Sequence, residues 1–307
     1  MGTAAPAHSK HYDFATIGDG VTFGRARPDG TGLCNTGIVD LGPSTLVFDT
    51  SLSVSSAREI REAARAITKR PPSLCANSHW HMDHTVGNQI FADRPIYASR
   101  RTIEILLERR AEFERELSPE KLEADIRELE RQRDAQSTEF GRAQYEGVIR
   151  LNRAILPEAH EFRFTLPTHA FDQQLELPGD LDTKLLNFGA GHTESDTVLF
   201  LGKSRTLFAG DLVVSGTHPN LRSGDPQHWL VVLDQLEKLR PERVVTGHGP
   251  LGGLDSLETM RDYLSTVIGL AGATGTPELP ERFRSFSEPG QFLENIAFLR
   301  GRSTNSK

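Results

Sequence analysis

The stretch Asn77-Ser78-His79-Trp80-His81-Met82-Asp83-His84-Thr85-Val86-Gly87-Asn88 places three of the chain's eleven histidines and a carboxylate within six residues. Imidazole nitrogens and carboxylate oxygens together are donors for a divalent metal. The apolar run 73–76 just before it reads as a buried strand, and in an extended segment His79 and His81 project from the same side. They can therefore share one ion. Asp83 and His84 are adjacent, so both reach a common point only where the chain turns, and Gly87-Asn88 suits a tight turn into a short helix. A histidine-rich surface loop is the plain alternative, and the density of histidine directly after a buried strand speaks against it.

The spacing His79-x-His81-x-Asp83-His84 resembles the signature of the metallo-β-lactamase superfamily. Counterparts of that superfamily's other ligands lie downstream, each after a strand-like run: Gly191-His192-Thr193 after 184–188, Gly210-Asp211 after 206–209, and Gly247-His248-Gly249 after 243–246. The resemblance covers almost the whole chain. It implies that His79, His81 and His192 hold a first metal, that Asp83, His84 and His248 hold a second, and that Asp211 bridges the two. The implied cofactor is a pair of divalent ions, zinc first, with iron and manganese suited to the same donors. It also implies a metal-bridging hydroxide as nucleophile, oriented by Asp83, attacking an ester, lactone, thioester or amide bond in a small molecule. Asp49, closing the strand-like 46–48, occupies a position that in the resembling family supports the site from behind.

Details of the sequence narrow the resemblance to particular branches of the superfamily. One subclass of zinc β-lactamases carries Cys where this chain has Asp211, and Asp211 with His248 resembles the glyoxalase II, lactonase and cyclase-like branch. His192-Thr193-Glu194-Ser195-Asp196 departs from the commoner His-Thr-Pro-Gly. An iron-dependent oxidoreductase of the persulfide-dioxygenase kind shares the fold with fewer ligands, and the complete second set here disfavours it. A non-catalytic metal binder would show lost ligands, and none is lost. β-Lactam hydrolysis is expected as a side reaction at most. The loop 215–222 directly follows Asp211, which makes His218 and Arg222 candidates for substrate contact.

The rest of the composition narrows the partners. The 307 residues are 37% hydrophobic, enough for a sizeable core, with 42 acidic against 35 basic residues and a formal charge of -7. No basic footprint for nucleic acid or an anionic membrane is present, so the expected partner is a small-molecule substrate. Cys34 and Cys75 are the only cysteines and have no C-x-x-C spacing, which suggests neither a disulfide framework nor a thiolate zinc site. Residues 1–10 lack a signal-like apolar core, and no run of about 18 apolar residues occurs, so the expected location is cytoplasmic.

The elements that must position these residues follow from periodicity. Strands are expected at 12–17, 21–24, 36–40, 45–49, 73–76, 94–98, 161–166, 173–177, 183–188, 197–201, 206–209 and 243–246. Helices are expected at 55–69, 226–239, 257–270 and 292–299. Residues 99–156 change character: charges of both signs interleave, as on solvated helices laced by i,i+4 pairs, with a break at Leu117-Ser118-Pro119. This insertion reads as an exposed helical decoration, with a lid over the site or a homodimer contact as alternatives. The whole is expected to be one α/β (α+β) domain, residues 1–307, a four-layer αββα sandwich carrying that insertion.

Overall fold

The computed structural model describes residues 9–18 and 20–305. Residues 1–8 of the N-terminal stretch discussed above, His8 among them, lie outside the described residues. Two sheets stack face to face. The first has seven strands in sequential order: β1 (Tyr12–Gly18), β2 (Val21–Ala26), β3 (Thr36–Asp40), β4 (Thr45–Phe48), β5 (Leu74–Ala76), β6 (Ile96–Ser99) and β7 (His169–Phe171). β1 to β4 form an antiparallel meander, and β4 to β7 run parallel. The second sheet is ordered β12 (Arg243–Val245), β11 (Thr206–Phe208), β10 (Thr197–Leu201), β9 (Thr183–Asn187), β8 (Gln174–Leu177), with only β11 and β12 parallel.

Period-two alternation builds the layers. On β4, Leu46 and Phe48 face the second sheet while Val47 faces outward; on β10, Leu199 and Leu201 face inward and Val198 outward. The inner faces meet in a core of Val21, Val39, Phe48, Leu185, Leu199 and Phe208. Close approach requires Gly37, where a Cβ would lie 2.4 Å from the Phe208 ring. Phe208 is 1% exposed, and its truncation to Ala is expected to cost about 3–5 kcal/mol.

Helices cover both outer faces. Helix α1 (Val54–Thr68) starts at Ser53, whose side chain and that of Ser56 form a reciprocal cap, and Pro71-Pro72 prevents its continuation. It buries Ala57, Ile60, Ala63 and Ala64 on Ile38, Val47, Cys75 and Ile96. A short helix, α2 (Met82–Thr85), follows β5. On the other side α7 (Pro226–Lys238), α8 (Leu254–Gly272) and α9 (Pro289–Asn305) pack Trp229, Leu233, Tyr263, Leu264 and Phe292 against Val198, Leu207 and Val244. The order helix, sheet, sheet, helix is the αββα sandwich. Among the described residues no helix is long and apolar enough to cross a membrane.

Between β6 and β7 lie α3 (Arg100–Glu108), α4 (Arg110–Glu116), α5 (Pro119–Asp134) and α6 (Glu139–Ile155). Ser118 caps α5, and its neighbour Pro119 opens that helix without loss of a hydrogen bond. Exposed pairs such as Arg110–Glu114 and Arg127–Glu123 line the outside. The inside is a core of its own: Ile105, Leu106, Phe113, Leu117, Leu122 and Ile155 pack with Leu52, Trp80 and Val86. The strand expected at 161–166 does not form. Phe162, Phe164 and Leu166 instead pack against this helical core, and the strand that joins the sheet is β7, a few residues later.

Candidate metal centre

Every histidine and aspartate of the expected ligand set sits beyond a strand end at one edge of the sandwich. His79 and His81 follow β5, and Asp83 and His84 are delivered by α2, the short helix that brings adjacent residues to one point. His192 lies between β9 and β10, Asp211 directly after β11, and His248 directly after β12. Ligand atoms of His79, His81, His192 and Asp211 lie within 4.8 Å of one another, as do those of His84, Asp211 and His248. Asp211 belongs to both groups. Its Oδ2 is 3.3 Å from Nε2 of His192 and 3.3 Å from Nε2 of His248, while Oδ1 is 3.2 Å from Nε2 of His84. Gly247 makes room for it, since a Cβ there would lie 1.9 Å from Asp211 Oδ1.

Hydrogen bonds on the far side of the rings decide which nitrogen points inward. Ser78 Oγ donates to Asp49 Oδ2 at 2.8 Å and so accepts from His79 Nδ1 at 2.9 Å, which leaves the lone pair on His79 Nε2. His84 Nδ1 donates to Asp49 Oδ2 at 2.8 Å, which leaves its Nε2 facing the cluster. Ser223 Oγ holds His81 Nε2 at 3.2 Å, and His81 Nδ1 lies 2.9 Å from His192 Nε2. His79 Nε2, His84 Nε2 and Asp211 Oδ1 are buried and make no well-directed hydrogen bond. Buried polar atoms are normally partnered, and these converge on common points, so a cation fits the donor set.

The electrostatics agree. Burial pushes His79 well down, and burial together with the neighbouring His192 takes His81 to about 3. Burial alone would favour neutral Asp83 and Asp211, but the adjacent His84 and His248 outweigh it and hold both carboxyls well below their usual range. Burial likewise opposes charge on His84 and His248. Cys34, then Asp83 and Asp211, override it at His84 and raise it well above its ordinary value, while Asp211 and Asp83 raise His248 to about 10. These directions favour protonated rings beside ionised carboxylates when no cation is bound, and a metal would take the place of those protons.

Several supporting residues have no signature in the sequence. Thr50, Asn77 and Asn88 form a buried network: Thr50 Oγ1 and Asn77 Nδ2 both donate to the His84 carbonyl, at 3.1 and 2.9 Å, and both reach Asn88 Oδ1. The turn after His192 lacks Pro-Gly and is tied instead by Asp196, whose carboxylate accepts from Thr193 N at 2.9 Å and Thr193 Oγ1 at 2.8 Å. Burial pushes Asp196 up to about 7. Trp80, between two of the histidines, donates to Glu194 at 2.8 Å and carries the Arg109 guanidinium 4.0 Å from its ring centre. Asp49, which the family resemblance does mark as a supporting position, has φ 62° and bonds His84 and Ser78. Cys34, which carries no ligand-like spacing, lies in the β2–β3 loop with its Sγ within 4.8 Å of ligand atoms of Asp83 and His84. Burial pushes that thiol up to about 12.

The two substrate-contact candidates sit differently from expectation. His218 is 2% exposed, with Nδ1 3.1 Å from the Tyr263 hydroxyl and Phe286 and Phe292 around the ring. It packs into the C-terminal core and does not line an open wall, because the 217–221 backbone is pinned by Ser287 and Asn295. Arg222 is exposed but turned to Glu294 on α9.

The metallo-β-lactamase superfamily profile matches residues 29–248. Solved structures of similar fold include DIM-1 metallo-β-lactamase exposed to ceftazidime, with 16% identity, a TM-score of 0.60, and coverage of 84% of this chain and 99% of that one. A metallo-β-lactamase from Pontibacter korlensis has 18% identity, a TM-score of 0.59 and coverage of 83% and 99%. FIM-1 from Pseudomonas aeruginosa in its mono-zinc form has 17% identity, a TM-score of 0.57 and coverage of 85% and 98%. No curated protein matches the sequence. Identities this low establish likeness of fold, whereas the profile spans the stretch that contains all seven clustered residues. The chain belongs to the metallo-β-lactamase superfamily, whose members are mostly metal-dependent hydrolases.

Proposed function

We propose that the chain is a dinuclear metal-dependent hydrolase, zinc being the first candidate metal, that cleaves an ester, lactone, thioester or amide bond in a small molecule. The observation that carries this reading is the position of Asp211, one carboxylate between two groups of inward-facing imidazoles. It supports the assignment of His79, His81 and His192 to one ion and of Asp83, His84 and His248 to the other. An aspartate there, with His248, supports the glyoxalase II, lactonase and cyclase-like branch. Two buried, unpaired cysteines support a reducing, cytoplasmic setting.

When bound, the ions supply the positive charge that acidifies water and polarises the carbonyl under attack. The chain's own residues set the geometry. Asp83 turns Oδ2 into the cluster, 3.2 Å from His248 Nε2 and 3.4 Å from His84 Nε2, where it accepts a hydrogen bond from the attacking water and fixes its direction. Asp49, Ser78 and Ser223 hold the rings in the required tautomers. No serine nucleophile is called for: Ser195 Oγ is buried and committed to Ser99 Oγ at 2.7 Å.

Elemental analysis of purified protein and a panel of esters, lactones, thioesters and β-lactams test the proposal. The expected result is about two ions per chain and chelator-sensitive hydrolysis of one of the first three classes. Asp211→Ala should abolish hydrolysis and empty at least one position, because two cations then repel without a bridge. Full loading and an unchanged rate in that variant would remove Asp211 from the role. Oxygen uptake with a thiol or persulfide, and no hydrolysis, would establish the iron oxidoreductase instead.

A further inference from the structure

The two cysteines of this chain are both fully buried, and their surroundings differ in kind. Cys75 on β5 packs with Ile38, Val47 and Ile96 beneath α1, the ordinary setting of a cysteine acting as a small apolar side chain. Cys34 faces polar groups. Its Sγ, a carboxylate oxygen of Asp83 and a ring nitrogen of His84 all lie within 4.8 Å of one another, and Sγ donates to the Asp83 carbonyl at 2.8 Å. His84 Nε2, aimed into the cluster, is buried and has no well-directed partner. The loop that carries Cys34 is also fixed to the opposite side of the site. Asn35 N donates to the Gly247 carbonyl at 2.8 Å, and Asn35 Nδ2 donates to the carbonyls of Thr246 at 2.8 Å and Gly249 at 2.9 Å, on either side of His248.

We infer that Cys34 is a ligand of the metal at the second position, adding a thiolate to Asp83, His84 and His248. The inference rests on the metallohydrolase reading above. Entry of the ion exchanges the thiol proton, which leaves to solvent, for a sulfur–metal bond, and the hydrogen bond to the Asp83 carbonyl is given up; nothing is oxidised or reduced. Cys34 therefore specifies the metal. A soft sulfur donor favours zinc, cobalt or iron(II) at that position over manganese or magnesium, which the remaining oxygen and nitrogen donors would otherwise admit.

Cobalt(II) reports both claims separately. The metal-free protein, titrated anaerobically with cobalt(II), should develop visible ligand-field bands, which register binding, and a near-ultraviolet thiolate-to-cobalt charge-transfer band, which registers sulfur. Cys34→Ser and Cys34→Ala should retain the ligand-field bands and lose the charge-transfer band, and Cys75→Ala should retain both. Ligand-field bands without charge transfer in the unmodified protein would overturn the inference while leaving the metal site intact, whatever the variants do. A charge-transfer band that survives Cys34→Ala would overturn it too. Failure of the unmodified protein to bind cobalt at all would overturn the metal reading itself and this inference with it.

Discussion

Asp49 touches no expected metal position, yet one of its carboxylate oxygens fixes two of the rings that do. Oδ2 accepts from His84 Nδ1 and from Ser78 Oγ, and Ser78 in turn accepts from His79 Nδ1. Asp49→Asn preserves the side-chain shape and tolerates the left-handed backbone at φ 62°. It turns one of the two acceptor oxygens into an NH2 donor, so that either the position shared by His84 Nδ1 and Ser78 Oγ or the one that accepts from Ser78 N at 2.7 Å faces a donor instead. Zinc affinity is expected to fall about 10–100-fold, measured by competition with a chromogenic chelator. An unchanged affinity would reduce Asp49 to a turn residue. At this scale the sequence is legible where the chemistry demands rare residue types, and His79, His81, Asp83, His84, His192, Asp211 and His248 are picked out by type and by strand-end position. Ser78, Ser223, Asn77 and Thr50 are not, because a hydroxyl or amide that braces a ring has the composition of any loop. His218 shows the converse. A loop of Ser, Gly and Pro beside Asp211 reads as a site wall, but its burial depends on Tyr263, Phe286 and Phe292, far along the chain.

Among the elements, the helices α3 to α6 are the least legible in the sequence. Interleaved charge reveals their helical state and their wet outer faces, whereas the inner face is a sparse set of apolar residues whose partner is Trp80 in the histidine stretch itself. Arg109 at the α3–α4 junction lies over Trp80, and Ser99 and Thr102 at the start of α3 bond Ser195 near His192. These contacts tie the helices to both sides of the first ligand group. Arg109→Ala should lower stability by about 0.5–2 kcal/mol through the lost cation–π contact, read from Tm. If the helices position the site, the same variant also retains zinc less well. If they serve as a lid, zinc retention is unchanged and kcat/KM falls for a bulky substrate more than for a small ester. The same packing makes wholesale replacement of the helices by a linker uninformative, since Trp80, Val86 and Leu52 would lose their cover.

For the molecule as a whole, the metal centre couples folding to pH. In the metal-free protein His84 is raised well above its ordinary value and His248 to about 10, so both carry protons at neutral pH. A folded-state value above the ordinary 6.5 contributes stability that is fully present below that value and is lost as pH rises through the folded one. The metal-free protein should therefore lose stability between about pH 7 and 10, beyond whatever general alkaline effects act on the chain. The zinc-loaded protein has exchanged those protons for metal and should lack this component, so the gap between the two Tm curves should widen across the window. The same exchange predicts the release of about two protons per chain when zinc is added at neutral pH, measurable in weakly buffered solution, with affinity rising as pH rises. A third proton would accompany ligation by Cys34 and would disappear in Cys34→Ser. Parallel Tm curves together with zinc binding that releases no protons would mean that His84 and His248 are neutral before the metal arrives, and that the two carboxylates are held in the empty cluster by some other charge.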